Sequence, residues 1–162
     1  MRLPCSFALG LALLVSGCPD PVREDLEAEQ GPEQAGVPKG PLHRPGQRCL
    51  ACHRAGGPSP PFSVAGTIFL REGEPIAAPG IDIAIRDARG EERTFQSNAV
   101  GNFYVPEAAW SPTFPLSVEL RTGERGIAMR TEIPREGACN ACHRGAGDAH
   151  HMPGVFVEAK AP

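Results

Sequence analysis

The sequence is poor in aromatics, in histidine and methionine, and in any excess of positive charge. One Trp, one Tyr and seven Phe make up 6% of its 162 residues, beside five His and three Met. Sixteen basic residues against nineteen acidic ones leave a formal net charge of −3. The cationic footprint of a nucleic-acid binder is therefore missing, and DNA and RNA are not expected as partners. No apolar run is long enough to cross a bilayer, and neither a Ser-His-Asp arrangement nor a Gly-rich phosphate loop can be read. What the chain does have is 19 Gly and 18 Pro with no three-residue period. That composition excludes collagen, argues against a mostly helical protein and points to turns and short strands. The length is that of one domain of ordinary size.

The strongest apolar run, residues 7–15, has the length of a secretory h-region and reads as an address rather than a core element. It ends in Val15-Ser16-Gly17-Cys18, which resembles the lipobox of bacterial lipoproteins. The resemblance implies that residues 1–17 are a lipoprotein signal peptide and that Cys18 is acylated. At about 0.8 kcal/mol per buried methylene, more than one acyl chain gives durable attachment without a membrane span. The expected location is that of an exported bacterial lipoprotein, periplasm-facing or outer-membrane associated. Residues 18–47 follow; from 19 to 47 there are six Pro, four Gly, six acidic residues and no aromatic. They read as a disordered, acidic tether.

Two pentapeptides carry the most information: Cys49-Leu50-Ala51-Cys52-His53 and Cys139-Asn140-Ala141-Cys142-His143. Each is a C-x-x-C-H, the attachment signature of c-type haem. Two thiols so spaced reach the two vinyl groups on one porphyrin edge, and the next residue, His, falls beneath the iron. A shuffled chain of this composition would hold roughly 0.007 copies. Cysteine bookkeeping agrees: Cys5 leaves with the signal peptide, Cys18 takes lipid, and the other four are those of the motifs. The expected cofactors are two covalently attached c-type haems, with His53 and His143 as proximal iron ligands. The competing readings are a four-thiolate zinc site, which leaves both following histidines unexplained, disulfides, and a thioredoxin-like pair, for which no βαβ setting is visible.

Three further histidines, His43, His150 and His151, all lie near a motif and are the candidate distal ligands. His43 is assigned to the first haem and His150 or His151 to the second, with Met152 the lesser, thioether candidate. Met129 is expected to be a core side chain in a strand, since methionine commonly fills core gaps.

Between the motifs, residues 62–70, 81–87, 91–97, 102–105, 115–121 and 126–133 read as strands, clearest where Ile81, Ile83 and Ile85 alternate with Asp82, Ala84 and Arg86. Ala88-Arg89-Gly90 forms a hairpin connection. The stretches 64–68, 79–83, 87–90 and 97–105 resemble the carboxypeptidase regulatory-like family. The resemblance implies a small antiparallel β-sandwich of prealbumin or Ig-like kind over 62–134, a module that is not itself catalytic. The first haem-binding segment is then 48–61, and the second, with the C-terminal tail, 135–162. An even number of strands between the motifs puts both CxxCH loops or short helical turns at one pole. Trp110 is read as a packing residue.

The function expected is that of an electron carrier, not a catalyst: one-electron transfer with redox proteins or quinone-linked membrane complexes, the membrane being reached through the lipid on Cys18. The alternatives are a binding lipoprotein whose cysteine pairs hold zinc or disulfides, and a haem enzyme with an open iron position.

Overall fold

The structure is a computed structural model that describes residues 20–33, 35–72, 74–144, 152 and 154–158. The signal peptide, Cys18, His150 and His151 lie outside the described residues. In chain order the elements are α1 (Pro21–Ala28), a 3₁₀ turn (Cys49–Ala51), β1 (Phe62–Arg71), β2 (Asp82–Arg86), β3 (Glu92–Gln96), β4 (Asn102–Pro106), β5 (Ser117–Thr122), β6 (Arg125–Ala128), β7 (Gly137–Ala138), the single helical turn α2 (Cys139–Cys142) and β8 (Val155–Glu158).

The strands form two sheets. One is antiparallel throughout, in the order β3-β2-β5-β6. In the other, β1 pairs antiparallel with β4 and, along its opposite edge, parallel with β7 and β8. All six strands expected from the alternation pattern are present within a few residues, except that the sixth stops at Ala128 and Ile133 returns only as a single bridge to Leu116.

The expectation of a purely antiparallel sandwich is corrected, because this second sheet is mixed. Six strands return the chain to the end at which β1 began, so the next strand to join β1 must run in the same direction. Residues 137–158, read from sequence as a haem-binding segment and tail, supply those two edge strands.

The core lies between the sheets. Val64 and Ile68 of β1, Ile83 and Ile85 of β2, Phe103 and Val105 of β4, Leu116 and Leu120 are all buried there with Trp110. Each large apolar side chain so buried contributes about 1.5–3 kcal/mol. The period of two puts the intervening residues Ala65, Thr67, Asn102 and Tyr104 on the other face of the β1–β4 sheet.

Part of 18–47, read from sequence as a tether, lies against that outer face. Thr67 donates its hydroxyl to Asn102 Oδ1 (2.8 Å), and both are buried polar groups that need further partners. The backbone of 41–46 supplies them. Gly46 N–H donates to Thr67 Oγ1 (2.7 Å), and Asn102 Nδ2 donates to the His43 carbonyl (2.9 Å). Upstream, Asp20 caps α1 by accepting from Arg23 N–H, Pro21 suits its first turn, and Glu27 pairs with Arg54.

Candidate functional site

Both C-x-x-C-H sequences fold as one helical turn, and for the same reason. Two intervening residues close a turn that sets the cysteines, three apart, on one side. In the first, His53 N–H donates to the Cys49 carbonyl at 2.9 Å; in the second, His143 N–H donates to the Cys139 carbonyl at 2.8 Å. Two unrelated stretches of chain, one a 3₁₀ turn and one an α turn, thus close with the same hydrogen bond, and each opens on its own cavity.

The first cavity, about 560 Å³, lies against the outer face of the β1–β4 sheet and is lined by Cys49, Cys52, His53, His43, Phe62 and Tyr104 among others. His53 is fixed in plane and in tautomer. Its ring stacks on Phe62 at 4.0 Å and 6°, and Phe62 in turn stacks on Tyr104 at 4.7 Å. With Nδ1–H assigned as donor to the Pro60 carbonyl at 2.8 Å, Nε2 keeps its lone pair for a metal. Burial pushes the His53 pKa down, against the Pro60 carbonyl, which raises it, so the neutral form that ligation requires prevails at neutral pH.

His43 is arranged alike. Its Nδ1 lies 3.4 Å from Glu33 Oε1, a carboxylate that its hydrogen bond with Arg44 holds below the usual range. A carbonyl or carboxylate on the second ring nitrogen is the common support of a metal-bound histidine. The His43 and His53 ring centroids are 5.9 Å apart with planes at 84°. Two imidazoles bonded to one metal from opposite sides, at about 2 Å each, have centroids roughly 6 Å apart.

The second cavity, about 730 Å³, lies between the two sheets at the edge where β6 and β8 leave the sandwich. Cys139, Cys142 and His143 line it on one side and Met129 on the other, with walls of Ile68, Ile83, Val118, Leu120, Ile127 and Val155. Ile127 and Met152, on this cavity, are 45% and 43% exposed although the cavity continues the core. Such walls suit a bulky apolar group. Cys139 reaches the sheet because β1 has Gly66 there: a Cβ at that position would stand 2.7 Å from Cys139 Cβ and 3.0 Å from Phe103. Met152 is a backbone neighbour of His143, its N–H donating to the Cys142 carbonyl (2.9 Å) and its own carbonyl accepting from Arg144 N–H (3.1 Å).

The two sites adjoin. Burial pushes the Cys139 thiol up to about 12, and the nearby Cys49 adds to the shift; burial likewise pushes Cys49 up to about 11. Arg48 and Glu136, one beside each motif, are joined at 2.9 Å and 3.1 Å. Thiols held protonated at neutral pH are the opposite of a reactive redox pair, which requires a lowered pKa. Among the described residues no three Cys, His, Asp or Glu side chains converge to hold a metal ion by themselves. Each cavity is lined by one motif's two cysteines and its histidine. Trp110 is absent from both linings and packs with Phe95 under the Arg93 guanidinium.

Sequence reasoning missed Pro60, Glu33 and Phe62 as supports of the histidines. The Pro58-Ser59-Pro60-Pro61 run held a signal: a stretch so poor in N–H donors leaves carbonyls available to a neighbouring imidazole. No protein-family model, no curated protein and no solved structure matches the chain.

Proposed function

We propose that the chain is an exported, lipid-anchored dihaem c-type cytochrome that passes single electrons between periplasmic or membrane partners, built on a sandwich of carboxypeptidase regulatory-like kind. One observation carries the reading: both C-x-x-C-H turns close with the same hydrogen bond from the histidine N–H to the first cysteine's carbonyl, and each lines a separate cavity of several hundred cubic ångströms with its two cysteines and its histidine. Cavities of this size accept a cofactor. The donor chemistry fits as well, with neutral imidazole, protonated thiols and apolar walls.

Haem, when bound, supplies a one-electron ferric/ferrous couple. The chain does the rest. Cys49 with Cys52, and Cys139 with Cys142, provide the sulfurs for covalent attachment. His53 and His143 would supply imidazole nitrogen to the iron, and the Pro60 carbonyl with the Phe62 ring keeps the first of these from rotating. His43, braced by Glu33 and 5.9 Å from His53 between ring centroids, would be the second imidazole to hold the group. The Arg48–Glu136 ion pair, with one partner beside each motif, brings the two sites near one another, as electron exchange between them requires. Attachment to the membrane rests on the lipobox-like sequence at Cys18; among the described residues no helix is long and apolar enough to span a bilayer.

The test is the full chain made in a bacterium competent for covalent haem attachment. Intact mass should exceed the acylated polypeptide by two haems, and a reduced-minus-oxidised spectrum should show c-type bands. Paired Cys49→Ser and Cys52→Ser substitutions should remove one haem. A colourless product with the mass of acylated protein alone overturns the reading.

A further inference from the structure

The two cavities differ in what faces the histidine of the motif. In the first, a second imidazole stands opposite at 5.9 Å. In the second, the facing sheet brings a thioether to the lining of the cavity. Met129 follows β6, where its N–H donates to the Val118 carbonyl at 2.9 Å and so prolongs the β5–β6 ladder. By the period of two it shares a face with Ile127, whose ladder partner Leu120 is in the core. That face is the inner one, and Met129 is half-buried on the cavity wall opposite α2. His143 belongs to the other sheet's edge. Met152 does not compete for this place, because its two backbone hydrogen bonds tie it to Cys142 and Arg144, on the histidine's own side.

We propose that Met129 is the axial partner of His143, so that the protein holds two unlike ligand pairs: His43 with His53 in the first site, Met129 with His143 in the second. The inference rests on the dihaem reading above and deepens it. Its chemical content is that the Met129 sulfur donates a lone pair to the second iron, with no change in electron count. Thioether ligation raises the potential of a haem above that of a bis-imidazole one, and apolar walls that disfavour added positive charge act in the same direction. The first site, where two imidazoles face one another, is the lower-potential one. An electron delivered to the pair therefore settles on the second site, and the chain has a preferred direction of transfer.

The experiment is potentiometric and spectroscopic, on the full-length, haem-loaded chain. The wild type should show two separate one-electron waves and, when ferric, the weak near-red charge-transfer band of sulfur-ligated iron. Met129→Leu, which conserves volume, should abolish that band and lower the higher-potential wave while leaving two haems by mass. Met129→His should restore a six-coordinate low-spin spectrum and draw the two waves together. Met152→Leu and the double change His150→Ala with His151→Ala should leave the band and both waves in place. If Met129→Leu keeps the band and both potentials, the inference is overturned; so it is if the band disappears in Met152→Leu, or if the second site is perturbed only by loss of His150 and His151. Should either Met129 variant lose its second haem, the wild type and Met152→Leu decide together: two waves with the band in both support the inference, and a purely bis-histidine wild-type spectrum, or loss of the band in Met152→Leu, overturns it. Failure of the parent reading looks different, since the wild type would then carry no haem mass at all.

Discussion

At the scale of single residues, function depends on small groups that permit or brace larger ones. Gly66 is the sharpest case, because the need for glycine comes from close approach and not from a turn: Cys139 Cβ and the Phe103 ring occupy the space of its missing Cβ. Gly66→Ala should push the α2 turn off the sheet, cost about 1–3 kcal/mol as overpacking does, and reduce haem attachment at Cys139 and Cys142 while the first motif loads normally. Thermal melts and peptide mass mapping of the two motifs would check it; equal loading of both motifs in this variant would count against the packing argument. His43 makes a complementary case. His43→Ala removes no sulfur and little packing, so two haems should remain attached, but the first site should turn from low-spin to high-spin and bind added imidazole quickly. Neither residue's role was fully legible in the sequence. His43 could be nominated because it is one of only five histidines, whereas Gly66 looks like any of 19 glycines until the fold sets Cys139 against it.

At the scale of elements, the alternation of apolar and polar residues revealed β1 to β5 almost to the residue, since a strand between a core and solvent must repeat every two positions. It was silent on β7, two residues long with Gly137 and Ala138, and on β8, whose short apolar run reads as a tail until β1 is seen to lack a partner on that edge. The β2–β3 hairpin was legible from Ala88-Arg89-Gly90, but not the carboxylate that organises it. Asp87 is buried; its Oδ1 accepts from the Arg89 and Glu91 backbone N–H groups at 2.9 Å and 3.0 Å, and its Oδ2 from Thr113 N–H at 3.1 Å. Burial alone would raise its pKa, but these N–H donors and the Arg89 guanidinium prevail and hold it below the usual carboxylate value. A carboxyl whose pKa is lower in the folded than in the unfolded chain contributes stability that is complete above the unfolded value, about 3.9, and is lost as pH falls through the folded one. Asp87→Asn puts an amide NH₂ where an acceptor is needed. It should lower the Tm by several degrees at pH 7 and by less at pH 3, below the unfolded value of about 3.9, where the wild-type chain has lost part of that contribution. A deficit that is the same at both pH values would mean that the charge of Asp87 contributes nothing.

At the scale of the whole molecule, the two motifs occupy unlike places on one framework. The first lies on the outer face of the β1–β4 sheet, where the sandwich core is already complete behind it. The second opens between the sheets, against Ile68, Ile83, Leu120 and Val155, and what fills that cavity is part of the core. The sequence announced two equivalent motifs, because C-x-x-C-H reads the same in both; it could not announce that one is superficial and the other interior, since this depends on which sheet edge each loop reaches. The difference predicts an asymmetry in stability. Replacing Cys49 and Cys52 by Ser should cost one haem and lower the Tm by only a few degrees. Replacing Cys139 and Cys142 should also cost one haem, but it leaves an apolar cavity of about 730 Å³ open between the sheets, with Ile127 exposed on it. An unfilled cavity forfeits both the transfer of apolar surface from water and the contacts of its lining, so the Tm should fall by roughly 10 °C or more, with increased binding of a hydrophobic dye. Melts of both double variants, each confirmed by mass to hold one haem, decide it: equal losses, or a larger loss at the first motif, would mean that the second cavity is not part of the folded core.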